Sequence, residues 1–184
     1  MKAKFNQSNI KVAIASAIIV GSVSLSTSGY AGTLTVNAIV GEACVVDAST
    51  TMNFSGYNAA GIHNLLTGVD LTSSAAVGSL CNSGTTALFN LDQGANGAGT
   101  ALLPTRKLST GVADAPMMDY QLYKDDGYVT VFGAGGNGAP IDQGGLTLVA
   151  NGLSNDVNIY GVLTKGQTVP QGTYTDIVNI TITY

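Results

Sequence analysis

The sequence predicts an all-β fold, an antiparallel sandwich in preference to a barrel, and three observations carry that expectation. After Ala31 no stretch keeps apolar residues at the i, i+3, i+4, i+7 spacing of an amphipathic helix for three turns. Short runs instead alternate apolar and polar side chains, the period-two pattern of a half-buried strand. Between them lie turn-forming clusters of Gly, Asn, Asp and Ser, with 24 glycines in 184 residues, almost twice the ordinary share. Strands at short spacing joined by such turns build two-layer antiparallel folds.

The first thirty-one residues have a different character. Lys2, Lys4 and Lys11 lead into an apolar run, Val12 to Val23, too short to span a bilayer at about 20 residues. Gly29 and Ala31 then put small side chains where a signal peptidase reads them, so residues 1–31 are expected to be a secretory signal peptide cut after Ala31. The competing reading, a retained membrane anchor, suffers from that short run. Residues 32–184 contain no composition break or linker and are expected to form one domain. Cleavage would remove three lysines, leaving Arg106, Lys107, Lys124 and Lys165 against eleven acids, a net charge of −7.

The first alternating run follows at once: Leu34, Val36, Ala38 and Val40 interleave with Thr33, Thr35 and Asn37. Cys44 comes next and Cys81 is the only other cysteine; a pair of cysteines in an exported chain reads as a disulfide rather than as two buried thiols. Ala87, Phe89 and Leu91 form the next clear face, then Tyr120 with Leu122, Val129 with Val131, Leu146 with Leu148, and Val157 with Ile159. The last run is the cleanest. Tyr174, Val178, Ile180, Ile182 and Tyr184 share one face, which Asp176 interrupts, and Thr175, Ile177, Asn179, Thr181 and Thr183 share the other. Turns are expected at residues 93–99, at Asp125-Asp126-Gly127 and across residues 133–140.

Chemistry is scarce along this chain. The acidic balance gives no clustered Lys and Arg to hold nucleic acid. One histidine, His63, and two cysteines supply neither a His-rich nor a four-thiolate metal site, and no cofactor is expected. His63 is also the only imidazole for a nucleophile, no G-x-S-x-G elbow occurs, and its loop context suggests surface decoration. Asp125-Asp126 suits a solvated turn better than a calcium ligand pair. Residues 94–99 lack the Lys-Ser/Thr and the helix that a phosphate cradle needs. Two glycosylation sequons, at Asn53 and Asn179, are discounted, the second because it sits in an expected core strand, where a glycan could not fit. The expectation is a protein that is not an enzyme.

A series of landmarks does carry information. The leading run ends in Gly41-Glu42-Ala43-Cys44; then come Met52-Asn53-Phe54-Ser55-Gly56-Tyr57, Leu80-Cys81 and Phe89-Asn90-Leu91-Asp92-Gln93-Gly94. Arg106-Lys107-Leu108 precedes Asp119-Tyr120-Gln121-Leu122-Tyr123-Lys124-Asp125. Tyr160-Gly161-Val162-Leu163 leads through Gly166-Gln167 to Gly172-Thr173-Tyr174-Thr175-Asp176, and the chain ends on Tyr184. In this order, from Leu34 to Tyr184, the series resembles the spore coat protein U (SCPU) family, the domain of Csu-type archaic chaperone–usher pilus subunits. Phe132-Gly133 stands where that family usually has Trp-Gly.

The resemblance implies an incomplete immunoglobulin-like antiparallel β-sandwich that lacks its last strand and is completed by a donor strand from outside. It implies three partners: a periplasmic pilus chaperone, an outer-membrane usher and neighbouring pilin subunits in a cell-surface pilus. Under it, residues 32–40 are the donor-strand segment, with Leu34, Val36, Ala38 and Val40 spaced two apart to fill successive sockets. Val178, Ile180 and Ile182 are expected to line the acceptor groove, and Tyr184 with its carboxylate to be the chaperone's handle. The leading run has a plainer reading as the first strand of its own domain. Two other functions compete: a secreted coat or matrix protein of the same family, and a small carbohydrate-binding module using Tyr57, Tyr123 or Tyr128.

Overall fold

The computed structural model describes residues 35–46, 50–135 and 144–184. The expected signal peptide, Leu34 and most of the 133–140 turn lie outside them. The chain divides into two compact units, Met1–Ala38 and Ile39–Tyr184. Of the first, only residues 35–38 are described, and they form no strand. Among its described residues the second carries nine strands: β1 (Cys44–Val46), β2 (Leu71–Cys81), β3 (Thr86–Leu91), β4 (Ala98–Gly99), β5 (Pro104–Leu108), β6 (Met118–Tyr123), β7 (Leu146–Val149), β8 (Ser154–Leu163) and β9 (Ile180–Thr183). No helix occurs among the described residues.

Two sheets form, in strand order β1-β2-β8-β6-β5-β4 and β7-β3-β9, and every named pairing is antiparallel. One hydrophobic core lies between them. The larger sheet contributes Val77, Tyr120, Leu122, Val157, Ile159 and Leu163, and the smaller one Ala87, Phe89 and Leu91. The all-β sandwich expected from the alternating runs is thus present, and its inward residues at β3, β6 and β8 are the ones the period-two pattern selects.

Four strands escaped the pattern. β1 and β4 are too short to show an alternation, β4 (Ala98–Gly99) lying within the stretch expected as a turn at residues 93–99, and β2 and β5 have inner faces that do not read as apolar. The inward side of β2 is Leu71, Ser73, Ala75, Val77, Ser79 and Cys81, too small and polar to stand out as an apolar face. Its small side chains suit the inner face, where Met52 and Phe54 pack over β8 at Gly161. A side chain at Gly161 would sit 2.6 Å from Phe54 Cζ. In β5 the inward residue is Arg106, a type that is rarely buried.

Two expected elements differ. Val129 and Val131 do not form a strand. The Asp125 carboxylate accepts the N–H groups of Val129 (3.0 Å) and Thr130 (2.7 Å), which closes a turn. Only a single bridge, Val131 to Tyr123, remains, and Val129 is exposed. His63 is not surface decoration: it is 2% exposed, its Nδ1 lies 2.8 Å from the Val69 carbonyl, and its ring stacks on Tyr57 at 5.1 Å. Polar and glycine neighbours in sequence concealed a packed loop.

Candidate assembly edge

The disulfide expected from the cysteine count is formed between Cys44 and Cys81, and neither thiol is free. It staples β1 to the end of β2 just after the leading segment. That segment, Thr35–Val40, has no secondary structure, and Val36, Ile39 and Val40 are exposed. The alternation of Val36, Ala38 and Val40 therefore has no partner strand among the described residues. A run patterned to be half-buried lies with its apolar side chains in water.

The complementary defect lies at the other end of the chain. β9 pairs with β3, in the register Leu91↔Ile180, Phe89↔Ile182 and Leu88↔Thr183, and with no other strand among the described residues. The bonds show which way its main chain points. Asp92 N–H donates to the Asn179 carbonyl (3.1 Å), Ala95 N–H to Ile177 O (3.0 Å), and Ser109 and Thr175 exchange both bonds (2.9 and 2.8 Å). Leu91 N–H turns away from β9 to Gly133 O (3.0 Å). Odd-numbered residues from 177 to 183 thus spend their main-chain groups on β3 and its continuation, and Thr175 spends its own on Ser109, just after β5. In an extended chain the even-numbered ones, Val178, Ile180, Ile182 and Tyr184, point theirs to the opposite, open side. Among the described residues this is an uncovered sheet edge, with its main-chain donors and acceptors turned outward.

The side chains agree. Val178, Ile180 and Ile182 pack against the core yet remain only half-buried, and Tyr184 is exposed. Phe89 on the neighbouring strand is fully buried, so the shortfall begins at the edge. The four expected groove residues lie along one strand edge, and the expected donor residues Val36, Ala38 and Val40 lie on a segment that makes no ladder.

A polar cluster, invisible to the apolar pattern, holds the head of this edge. Arg106, 1% exposed, donates from Nε (3.0 Å) and Nη2 (2.7 Å) to Asp92 O, from Nη2 to Phe132 O (2.7 Å) and from Nη1 to Gln121 Oε1 (2.6 Å). Asp92 in turn clips the strand: its carboxylate accepts Asn179 N–H at 2.9 Å and Asn179 Nδ2–H at 2.6 Å. Asp176 accepts the Tyr120 hydroxyl at 2.7 Å and Asn96 Nδ2–H at 3.0 Å. Its interruption of the apolar face is therefore a placed polar contact.

Electrostatics follow burial. Desolvation brings the Arg106 guanidinium down to about 10, against the pull of Tyr120, Asp92 and Asp176, so it stays charged. Desolvation and the bond to Asp176 push the Tyr120 hydroxyl up, keeping it a donor. Burial would raise Asp92, but the bonds from Asn179 and Gly94 and the Arg106 charge outweigh it and hold the carboxyl below its ordinary range. The signal that could have exposed this cluster was Asp92, Arg106 and Asp176 standing at inward or strand-end positions of alternating runs.

Elsewhere the surface offers little chemistry. No group of three His, Cys, Asp or Glu residues is placed to hold a metal among the described residues. Tyr57 is committed, its hydroxyl donating to Thr164 O (3.0 Å) and accepting Gln167 N–H (2.8 Å). Tyr123 and Tyr128 pack edge to face at 5.8 Å.

These features define a class: a disulfide-stapled, two-sheet antiparallel β-protein with β9 among its unpaired edges and an alternating segment that pairs with no strand among the described residues. The chain belongs to the Spore Coat Protein U domain family, whose match covers residues 30–181. It is 34% identical over 184 residues to Protein U of Myxococcus xanthus, spanning 95% of this chain and 98% of that one. Among solved structures it is similar to a chain of the CsuC–CsuE chaperone–tip adhesion subunit pre-assembly complex, from the archaic chaperone–usher Csu pili of Acinetobacter baumannii. There the identity is 17% and the TM-score 0.48, over 79% of this chain and 40% of that one.

Proposed function

We propose that this chain is a structural subunit of a chaperone–usher surface pilus, polymerised by donor-strand exchange, whose fibre serves adhesion and biofilm formation. The observation that carries the reading is the open edge along residues 175–183, half-covered core side chains behind it, in a chain whose own segment Thr35–Val40 joins no sheet. An edge of this kind recruits strands, and an extended segment with apolar side chains two apart is what such an edge accepts.

In this reading residues 1–31 are removed on export to the periplasm and residues 32–184 form one pilin domain. A periplasmic chaperone covers the edge beside Val178, Ile180 and Ile182 and holds Tyr184. At the outer-membrane usher, Leu34, Val36, Ala38 and Val40 of the next subunit replace it. Fully burying Leu34, Val36 and Val40 would contribute roughly 5–9 kcal/mol before ordering costs. That gain drives assembly without a nucleotide.

A second reading has support from the similarity to Protein U along nearly its whole length: a coat protein that completes its own edge. No observation favours the carbohydrate-binding reading, since the hydroxyl of Tyr57 is held internally and Tyr123 packs on Tyr128. Deleting residues 32–40 separates the first two. The intact chain is expected to give SDS-resistant ladders on unheated gels, and the deleted chain none. Ladders that survive the deletion refute donor-strand exchange. A monomeric intact chain with residues 32–40 protected from protease favours the coat protein.

A further inference from the structure

The outward face of the open edge reads Thr175, Ile177, Asn179, Thr181, Thr183. The face of the leading segment opposite to its apolar sockets reads, in the reverse direction, Ile39, Asn37, Thr35, Thr33. Beginning at Ile177, the two lists coincide residue for residue. Each face holds one large apolar residue, and both are out of place in water: Ile39 is 97% exposed and Ile177 70%.

Resting on the donor-strand reading of the previous subsection, we propose that the segment of a second copy lies antiparallel to residues 175–183 in the register that sets Ile39 opposite Ile177. Asn37 then faces Asn179, Thr35 faces Thr181 and Thr33 faces Thr183. The two isoleucines cover each other, and the Thr–Thr pairs are ones that neighbouring strands favour. The inward side follows without adjustment. Ala38 falls at Val178, Val36 at Ile180 and Leu34 at Ile182, and Gly32 leaves room at Tyr184.

Direction and register are both constrained. A parallel donor with Ile39 at Ile177 would run back past Thr175 and leave Ile180, Ile182 and Tyr184 bare. A slip of two residues keeps the sockets on the right side but sets Ile39 against Asn179 or Thr175. The main chain is consistent as well: the even-numbered residues of the edge present the free donors and acceptors. The odd pairs, Ile39 with Ile177 among them, are then the closely approaching non-hydrogen-bonded kind, with Cα atoms about 4.5 Å apart.

That spacing is within disulfide reach, whereas a slip of two residues moves partners by about 7 Å and out of it. In the full chain, exported by cells that polymerise it, Ile177→Cys is combined in turn with Thr35→Cys, Asn37→Cys, Ile39→Cys or Gly41→Cys. The native cysteines are consumed in their own bridge, and all five positions are exposed, so folding is little disturbed. Boiled, non-reducing gels are expected to show a covalent ladder at least about tenfold stronger for Ile39→Cys than for the other three. A strongest ladder at Thr35→Cys, Asn37→Cys or Gly41→Cys overturns the register; all three leave donor-strand exchange standing. No ladder from any pair, in chains that still polymerise, overturns this inference and the donor-strand reading together. As a second measurement, Ile177→Thr should lower the temperature at which unheated-gel ladders dissociate; an unchanged temperature counts against the isoleucine pair.

Discussion

Replacing Arg106 by Met tests whether the polar cluster, rather than the apolar core alone, holds the head of the last strand. The guanidinium supplies the bonds to Asp92 O, Phe132 O and Gln121 Oε1, and its charge faces Asp92 and Asp176. Methionine keeps much of the aliphatic stem and the volume, so the change isolates the charged fork. Removing one member of a buried charged network costs about 3–5 kcal/mol, because the remaining groups stay desolvated without a partner. Part of that is returned, since desolvating the arginine itself is no longer required, which puts the expected loss near 3 kcal/mol. With a urea slope of about 2 kcal/mol/M, the midpoint should fall by roughly 1.5 M. Tyrosine fluorescence reads the transition, the chain having eight Tyr and no Trp. Arg106→Lys keeps the charge but not the fork, and one ammonium cannot serve two carbonyls and an amide spread around it; at least half the loss should persist. A midpoint for Arg106→Met within about 0.3 M of the parent, or a lysine variant equal to it, would show that the cluster contributes nothing distinctive.

Two further outcomes follow from the same geometry. Converting both Cys44 and Cys81 to Ala releases a loop with a sequence separation of 37; the chain-entropy relation gives about 4 kcal/mol, so calorimetry should find Tm lower by roughly 10 °C. Asp92 gives stability a defined acid limb. Its carboxyl is depressed in the fold, so its contribution is complete above its ordinary value of 3.8 and is lost as pH falls through the lower folded value. Asp92→Asn should cost about 1–2 kcal/mol at neutral pH, moderated by solvent screening, and urea midpoints below pH 4 should then depend less on pH than in the parent. An identical acid limb in both chains would remove Asp92 from the account.

The alternating pattern made the layers legible at Ala87-Phe89-Leu91, Tyr120-Leu122 and Val157-Ile159 because those strands bury large apolar side chains on one face only. It failed where the inner face is small or polar. β2 hides behind Ser73, Ala75 and Ser79, and β5 behind Arg106, whose burial depends on carbonyls more than ten residues away in sequence. Val129 and Val131 misled in the opposite sense, since a side-chain cap from Asp125 holds the main chain at Val129 and Thr130 and leaves only one bridge, Val131 to Tyr123, on the return past β6. At the site, Val178, Ile180 and Ile182 were legible as a face, but their half-burial was not. Whether a patterned strand is covered depends on a neighbour, and no local pattern records one. The clamp of Asp92 on Asn179 was equally out of reach, being a contact between positions 87 residues apart.

The bridge between Cys44 and Cys81 also has a mechanical meaning. In a fibre joined through residues 32–40, tension enters each subunit only a few residues before Cys44. β1 itself offers three residue pairs to β2, a short ladder to bear a pull. The sulfur bridge carries the load across to the end of β2, which is laced to β8 by ten antiparallel pairs running from Leu71 to Leu80. Force along a strand of that length must shear many bonds together rather than peel them singly. Oxidised, the subunit is a continuous load path through its longest ladder; reduced, it would hang by a ladder of only three pairs.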